Sequence, residues 1–269
     1  MTAIVRSLPE DYCPMLSDAV IANKALIGGV VFAALFVAER IAAASPSRVG
    51  AARLVRNGVL WASLLLISPL IVLPLTAYAA GHLAWARPLE WPDWATLAAD
   101  VVLLDLWAYW IHRAYHEVGV MRRFHRVHHL DRHLDTTSAV RFHPGEVALS
   151  ALLRMIPIVA LAIPFRHVVL FETLLLVATL FHHSNVRLPA TFERALSRVI
   201  VTPSIHWVHH HEAPRDTNSN YAAVFSLWDP LFRTRSATKR SPDMKIGIAG
   251  VEDKSATLLL LLPFKPLES

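Results

Sequence analysis

Three nearly uninterrupted apolar runs, residues 19–38, 58–80 and 94–111, constrain the fold of this chain more than any other feature. At 1.5 Å of helical rise per residue, each can cross a hydrocarbon core of about 30 Å. A fourth stretch, 147–181, is too long for one pass and is punctuated by Pro157, Pro164, Arg166 and His167, which predicts a hairpin of two shorter helices. The composition agrees with a lipid surrounding: 54% hydrophobic and 17% charged residues, with a mean hydropathy of +0.41, lie far from the balance of a soluble domain. The expected fold class is all-α, a polytopic membrane helical protein; a buried-core helical protein is the weaker alternative.

The basic residues set the expected sidedness. Arg40, Arg48, Arg53 and Arg56 follow the first run, Arg87 lies between the second and third, and Arg113, Arg122, Arg123, Arg126 and Arg132 follow the third. By the positive-inside rule, 40–57, 112–146 and everything from 182 onward face the cytoplasm and the N-terminus faces out. Glu10, Asp11 and Asp18 argue against a cleavable signal peptide, so the first run is expected to remain. The chain divides into N-terminal transmembrane helices (1–93), a central region with the hairpin (94–235) and a C-terminal tail (236–269), in one integrated membrane domain. Leu258–Leu262 is too short to span and is expected to cap the core or lie in the interface. A net charge of +5 and a pI near 9.7 suit a face against anionic lipid; no aromatic-interleaved basic motif points to nucleic acid.

The polar segments beyond the spans carry histidine in a repeated grammar. His125-Arg126-Val127-His128-His129 and His206-Trp207-Val208-His209-His210 share the pattern H-x-x-H-H, and His112 and His116 stand just upstream of the first. With 15 His in the chain, chance gives such a string in about one window in 6,000. Positions i, i+3 and i+4 share a helical face, so each string can converge on a cation. The three strings offer eight imidazoles, enough for two metal ions with positions left open. This predicts a cytoplasmic, histidine-rich helical cap holding a di-metal site. Imidazole alone does not select the metal among Zn, Cu, Fe and Ni. The single Cys13 excludes a cysteine finger, an iron–sulfur centre or a disulfide framework.

Other residues carry weaker signals. Asp105 shares a helical stripe with Tyr109, His112 and His116, but at membrane depth, where an acid is costly and usually functional. It is expected to hold a histidine ligand by its ring N–H or to be a ligand itself, the alternative being a helix-pairing acid. Trp107 and Trp110 read as interfacial anchors, and Glu117 as an acid that is solvated or stands behind a ligand rather than on the metal. His133 reads as a surface residue, and His211 falls off the face shared by His206 and His210. Either His182 or His183, at the end of the hairpin, is a candidate ligand from a separate helix. Asn220-Tyr221 and Trp228-Asp229 by themselves fit ordinary turn and core positions.

The ordered set of His112-x3-His116, His125 to His129, Phe181-His182-His183-Ser184-Asn185, His206 to His210, Asn220-Tyr221 and Trp228-Asp229-Pro230-Leu231-Phe232 resembles the fatty acid hydroxylase and sterol desaturase superfamily of membrane di-iron oxidases, over about residues 100–235. The resemblance implies two iron ions, for which zinc can substitute on purification, held by His112, His116, His125, His128, His129, His183, His206, His209 and His210. It makes His183 the ligand of its pair and has Arg141-Phe142-His143-Pro144 and Glu146 shape the site. Asp105, from its helical stripe, and His143 are the non-ligand residues assigned to catalysis. The family tends to have glycine where this chain has Ala222 and Arg233. The implied reaction is O2-dependent hydroxylation or desaturation of a bilayer lipid. Its electrons would come from a separate donor, a ferredoxin or a b-type cytochrome with its reductase, docked on Arg122, Arg123, Arg126 and Arg132. Competing readings are a membrane metal transporter or metal-binding protein, whose ligands would be expected near the bilayer midplane, and a di-zinc lipid hydrolase.

Overall fold

The computed structural model describes residues 14–46, 50–85 and 91–265. Cys13, Glu10 and Asp11, along with Arg48 and Arg87, lie outside them. The described residues form helices without a strand: α1 (Pro14–Ala22), α2 (Lys24–Ile41), α3 (Ala51–Ile67), α4 (Leu73–Gly81), α5 (Asp93–Glu117), α6 (Gly119–His129), α7 (Pro144–Ala160), α8 (Phe165–His183), α9 (Ala190–Leu196), α10 (Pro203–His209), α11 (Pro214–Thr217), α12 (Trp228–Leu231) and α13 (Ala256–Leu261). Three helical stretches are long and apolar enough to cross a membrane, Ala51–Gly81, Asp93–Glu117 and Phe165–His183, and they mark a membrane protein. The first of these joins α3 to α4 through a wide π-type turn at Ser68–Val72, where Pro69 interrupts the regular bonding. Leu65, Leu66 and Leu70 stand exposed on it, as lipid-facing side chains do.

The run at 19–38 departs from expectation. Its helix breaks at Asn23, and α2 carries Lys24, Glu39 and Arg40, so it is not among the three helices apolar enough to span. The charges are tied down: Lys24 pairs with Glu172 of α8 at 2.7 Å, and Glu39 accepts the N–H groups of Thr136 and Asn185.

The hairpin forms from α7 and α8, turning at residues 161–164 with Ala162 at φ +52° and Pro164 capping α8. Pro157 does not break α7. A proline leaves the carbonyl four residues back without its helical donor, here Leu153 O, and the Trp107 indole of α5 supplies one at 3.1 Å. Trp107 is thus a half-buried packing residue rather than an interfacial anchor, while Trp110 is exposed.

A polar network ties the top of α3 to the segment after α6. Arg53 bonds Asp131 and Asp135, Asn57 bonds Thr137, and Ser138 bonds Asp131. Burial works to raise the Asp131 pKa, but Arg53 and Arg141 beside it prevail and hold it down at about 2. Over this network Leu259 of α13 and Leu262 just after it pack against Leu60, Val127 and Leu130, so Leu258–Leu262 caps the core as expected.

Candidate metal centre

Nine histidines meet on one side of the bundle in two groups. His112, His116, His125, His129 and His209 form one, His128, His183, His206 and His210 the other; within each group one nitrogen per ring lies within 4.8 Å of every other. All are buried except the half-buried His112. The helices account for the convergence. His112 and His116 sit one turn apart on α5, which turns sharply at Val118 into α6, and Arg122 secures the corner by donating to His116 O from its Nε at 2.8 Å. Each H-x-x-H-H string divides its ligands. The outer pair of α6, His125 and His129, serves the first group and its inner His128 the second, whereas His206 of α10 and His210 just beyond it go to the second and His209 to the first. The two strings therefore interlock.

The proton positions show what the groups can hold. His112 Nδ1 donates to Tyr221 O at 2.8 Å, His128 Nδ1 to Arg141 O at 3.1 Å, His183 Nδ1 to Thr179 O at 2.8 Å and His209 Nδ1 to Ser219 O at 2.7 Å. His125 Nδ1 lies 2.6 Å from the Glu146 carboxylate. A neutral imidazole carries one N–H, so in each of these rings Nε2 is a lone pair. His128 and His183 nevertheless face each other Nε2 to Nε2 at 3.0 Å, and the Nε2 atoms of His183 and His206 stand 2.9 Å apart. Buried Nε2 atoms of His116 and His209 have no hydrogen-bond partner among the described residues. Converging lone pairs repel one another and suit a cation between them, so the residues present fit a metal in each group. Burial, reinforced by the neighbouring rings, holds His128, His129, His206, His209 and His210 well below the usual imidazole pKa, leaving them neutral and able to ligate at pH 7.

Other expected site residues fall differently. Asp105 belongs to neither histidine group. It is fully buried and accepts the N–H of Val224 at 3.1 Å, that of Phe225 at 2.9 Å and the Trp228 indole N–H at 2.7 Å. It was expected to orient or supply a ligand; these three bonds go instead to a loop far along the chain. His143 caps α7, accepting from Gly145 N at 2.9 Å and donating to Leu260 O at 3.0 Å. A side chain at Gly145 would collide with Phe124, 2.7 Å from the position of its Cβ, which explains the glycine. His143 enters neither histidine group. His182 is buried against His206, their ring centroids 4.1 Å apart, but outside both groups, while His211 turns away to Asp216.

The residue that sequence reasoning undervalued is Asp229. It accepts Tyr221 N–H at 2.7 Å and Ala222 N–H at 3.1 Å, and so fixes the carbonyl that holds His112. Its signal was Trp228-Asp229 trailing Asn220-Tyr221 at a fixed distance. Of the two positions where the family tends to glycine, Arg233 adopts left-handed backbone, φ +58°, and Ala222 does not.

The profile of the fatty acid hydroxylase family matches residues 97–234, just over half the chain and all nine histidines. The chain belongs to the fatty acid hydroxylase family. An ornithine lipid hydroxylase of Rhizobium tropici is 27% identical over 196 residues, covering 73% of this chain and 58% of that protein. Alkylglycerol monooxygenases of Xenopus tropicalis and Homo sapiens are 30% and 28% identical, over 58% and 60% of this chain and 33% and 34% of theirs. The chain thus spans between a third and three fifths of the length of these relatives. No solved structure matches it. The resemblance read from the ordered histidine strings is borne out.

Proposed function

We propose that this chain is a membrane-embedded di-iron monooxygenase that hydroxylates a C–H bond of a bilayer lipid. The observation that carries the reading is the interlocked pair of buried histidine groups, whose ring nitrogens converge on two positions. Iron held there would supply the power to use O2 on an unactivated C–H bond. In balance, a C–H bond, one O2, two electrons and two protons give an alcohol and one water.

The chain's own residues set the geometry. Backbone carbonyls of Tyr221, Arg141, Thr179 and Ser219 fix the tautomer of four ligands. Glu146 adds a carboxylate behind His125 and makes it the stronger donor. Phe142 stacks on His128 with centroids 4.3 Å apart, and Tyr115 stacks on His125 at 5.4 Å, so an aromatic ring backs one ligand in each group. The named relatives act as a hydroxylase and monooxygenases, which favours hydroxylation over desaturation and a membrane lipid as substrate. Arg40, Arg53 and Arg56 stand at the same end as the histidines, supporting a cytoplasmic site. A ferredoxin or b-type cytochrome would deliver electrons there. Among its expected docking cations, Arg122 and Arg132 also hold backbone carbonyls of His116 and Val251.

The test is reconstitution in vesicles of mixed lipids with ferrous iron, O2 and a chemical reductant, read by lipid mass spectrometry. One lipid class should gain a single oxygen atom, and His128→Ala should abolish the gain. Release of head groups or acyl chains with no oxygen gained would point to hydrolysis and overturn the reading.

A further inference from the structure

The segment after Tyr221 leaves the histidine cap and runs down the flank of α5, where Val224, Phe225 and Trp228 all donate to Asp105. Asp105 lies near the middle of the span Asp93–Glu117, seven residues and about 10 Å below His112. Exposed tryptophans mark the ends of that span, Trp110 toward the cap and Trp91 and Trp94 at the other, as interfacial aromatic belts do. Five residues separate Asp105 from Trp110, which puts the carboxylate about 7 Å inside the hydrocarbon. Irregular backbone survives at that depth only when its polar groups are satisfied within the protein. Asp105 takes two of the N–H groups, Ser226 N–H donates to Val199 O at 3.1 Å, and Val201 N–H donates to Val224 O at 2.9 Å. The outward side chains are apolar, with Val199 59%, Leu227 44% and Leu231 61% exposed.

We propose that residues 224–231, paired with 199–201, form a wedge of the cap inserted into the bilayer, its Leu227 and Leu231 in contact with lipid acyl chains. The wedge explains why an acid sits at membrane depth without touching a ligand. Arg198 and Arg233, both exposed, border it in sequence, with stems long enough to carry their charges to the phosphate layer. Tyr221, whose carbonyl holds His112, lies three residues before the wedge, so lipid contact and ligand positioning share one short segment. The inference concerns how the cap meets the membrane and stands apart from the reaction proposed above. Acyl chains are the occupant favoured by depth; a docked soluble protein is the competing one.

Nitroxide labels on single cysteines, introduced in a Cys13→Ser background of the full chain in phosphatidylcholine nanodiscs, separate the two. Leu231→Cys and Leu227→Cys replace exposed side chains and leave the core intact; Leu103→Cys on the lipid face of α5 and Lys239→Cys on the exposed tail serve as references. Labels at 231 and 227 should respond to O2 and to a water-soluble nickel chelate as the label at 103 does, with relaxation by the chelate several-fold weaker than at 239. Responses at both positions matching 239 would place the segment in water and overturn the wedge.

Discussion

At the scale of single residues, the buried carboxylates have separable roles. Glu146→Gln keeps an acceptor for His125 but removes the charge behind it, and should weaken metal retention by about 10-fold to 100-fold. Chelator competition followed by metal analysis measures this; unchanged retention would make Glu146 a packing residue. Asp105→Asn faces three N–H donors with a single carbonyl oxygen and an amide that itself donates. It should lower stability by about 1 to 3 kcal/mol in thermal unfolding, while metal retained by the folded fraction stays near the wild-type level. Loss of metal at unchanged stability would return Asp105 to the ligand-orienting role that its helical stripe suggests. Asp131 supplies a pH signature outside the spans. Its folded pKa of about 2 lies below the ordinary 3.8, so its contribution, about 2 kcal/mol, is complete above pH 4 and disappears as pH falls toward 2. Asp131→Asn should flatten stability over that window and leave the profile above pH 5 unchanged in shape.

At the scale of elements, what could be read from sequence depended on how near each partner lies along the chain. The ligand spacing i, i+3 and i+4 is local, so the strings on α5, α6 and α10 were legible residue by residue. The division of each string between two groups was not, because it depends on how α6 and α10 face each other. Asp105 bonds partners about 120 residues away, and no stripe on its own helix could reveal them. Pro157 was read as a break because its rescue comes from Trp107 on another helix. That rescue predicts a coupling. Trp107→Phe should cost about 1 kcal/mol by leaving Leu153 O without a donor, and should cost less when Pro157→Ala restores a backbone N–H to the same carbonyl. Thermal unfolding of the two single variants and the double variant gives the answer; strict additivity would remove the proposed exchange of donors.

At the scale of the whole molecule, apolar run length predicted the spans at Ala51–Gly81 and Asp93–Glu117 and the second arm of the hairpin, because lipid rewards length and apolarity directly. It says less about α2, where Lys24, Glu39 and Arg40 sit inside or beside an apolar run and find partners on α8 and in the cap. The spans position the cap, and the cap joins ligands from five places: α5, α6, the end of α8, α10 and His210 just beyond it. The central claim is that these nine imidazoles hold two metal ions, with His209 belonging to the group of five and His128 to the group of four. The most direct measurement is iron bound per chain after anaerobic reconstitution and removal of loose metal, for the wild type and for His209→Ala and His128→Ala. The account predicts two irons per chain in the wild type and a lower value in each variant. Two irons retained in both variants, or a single iron in the wild type, would contradict it.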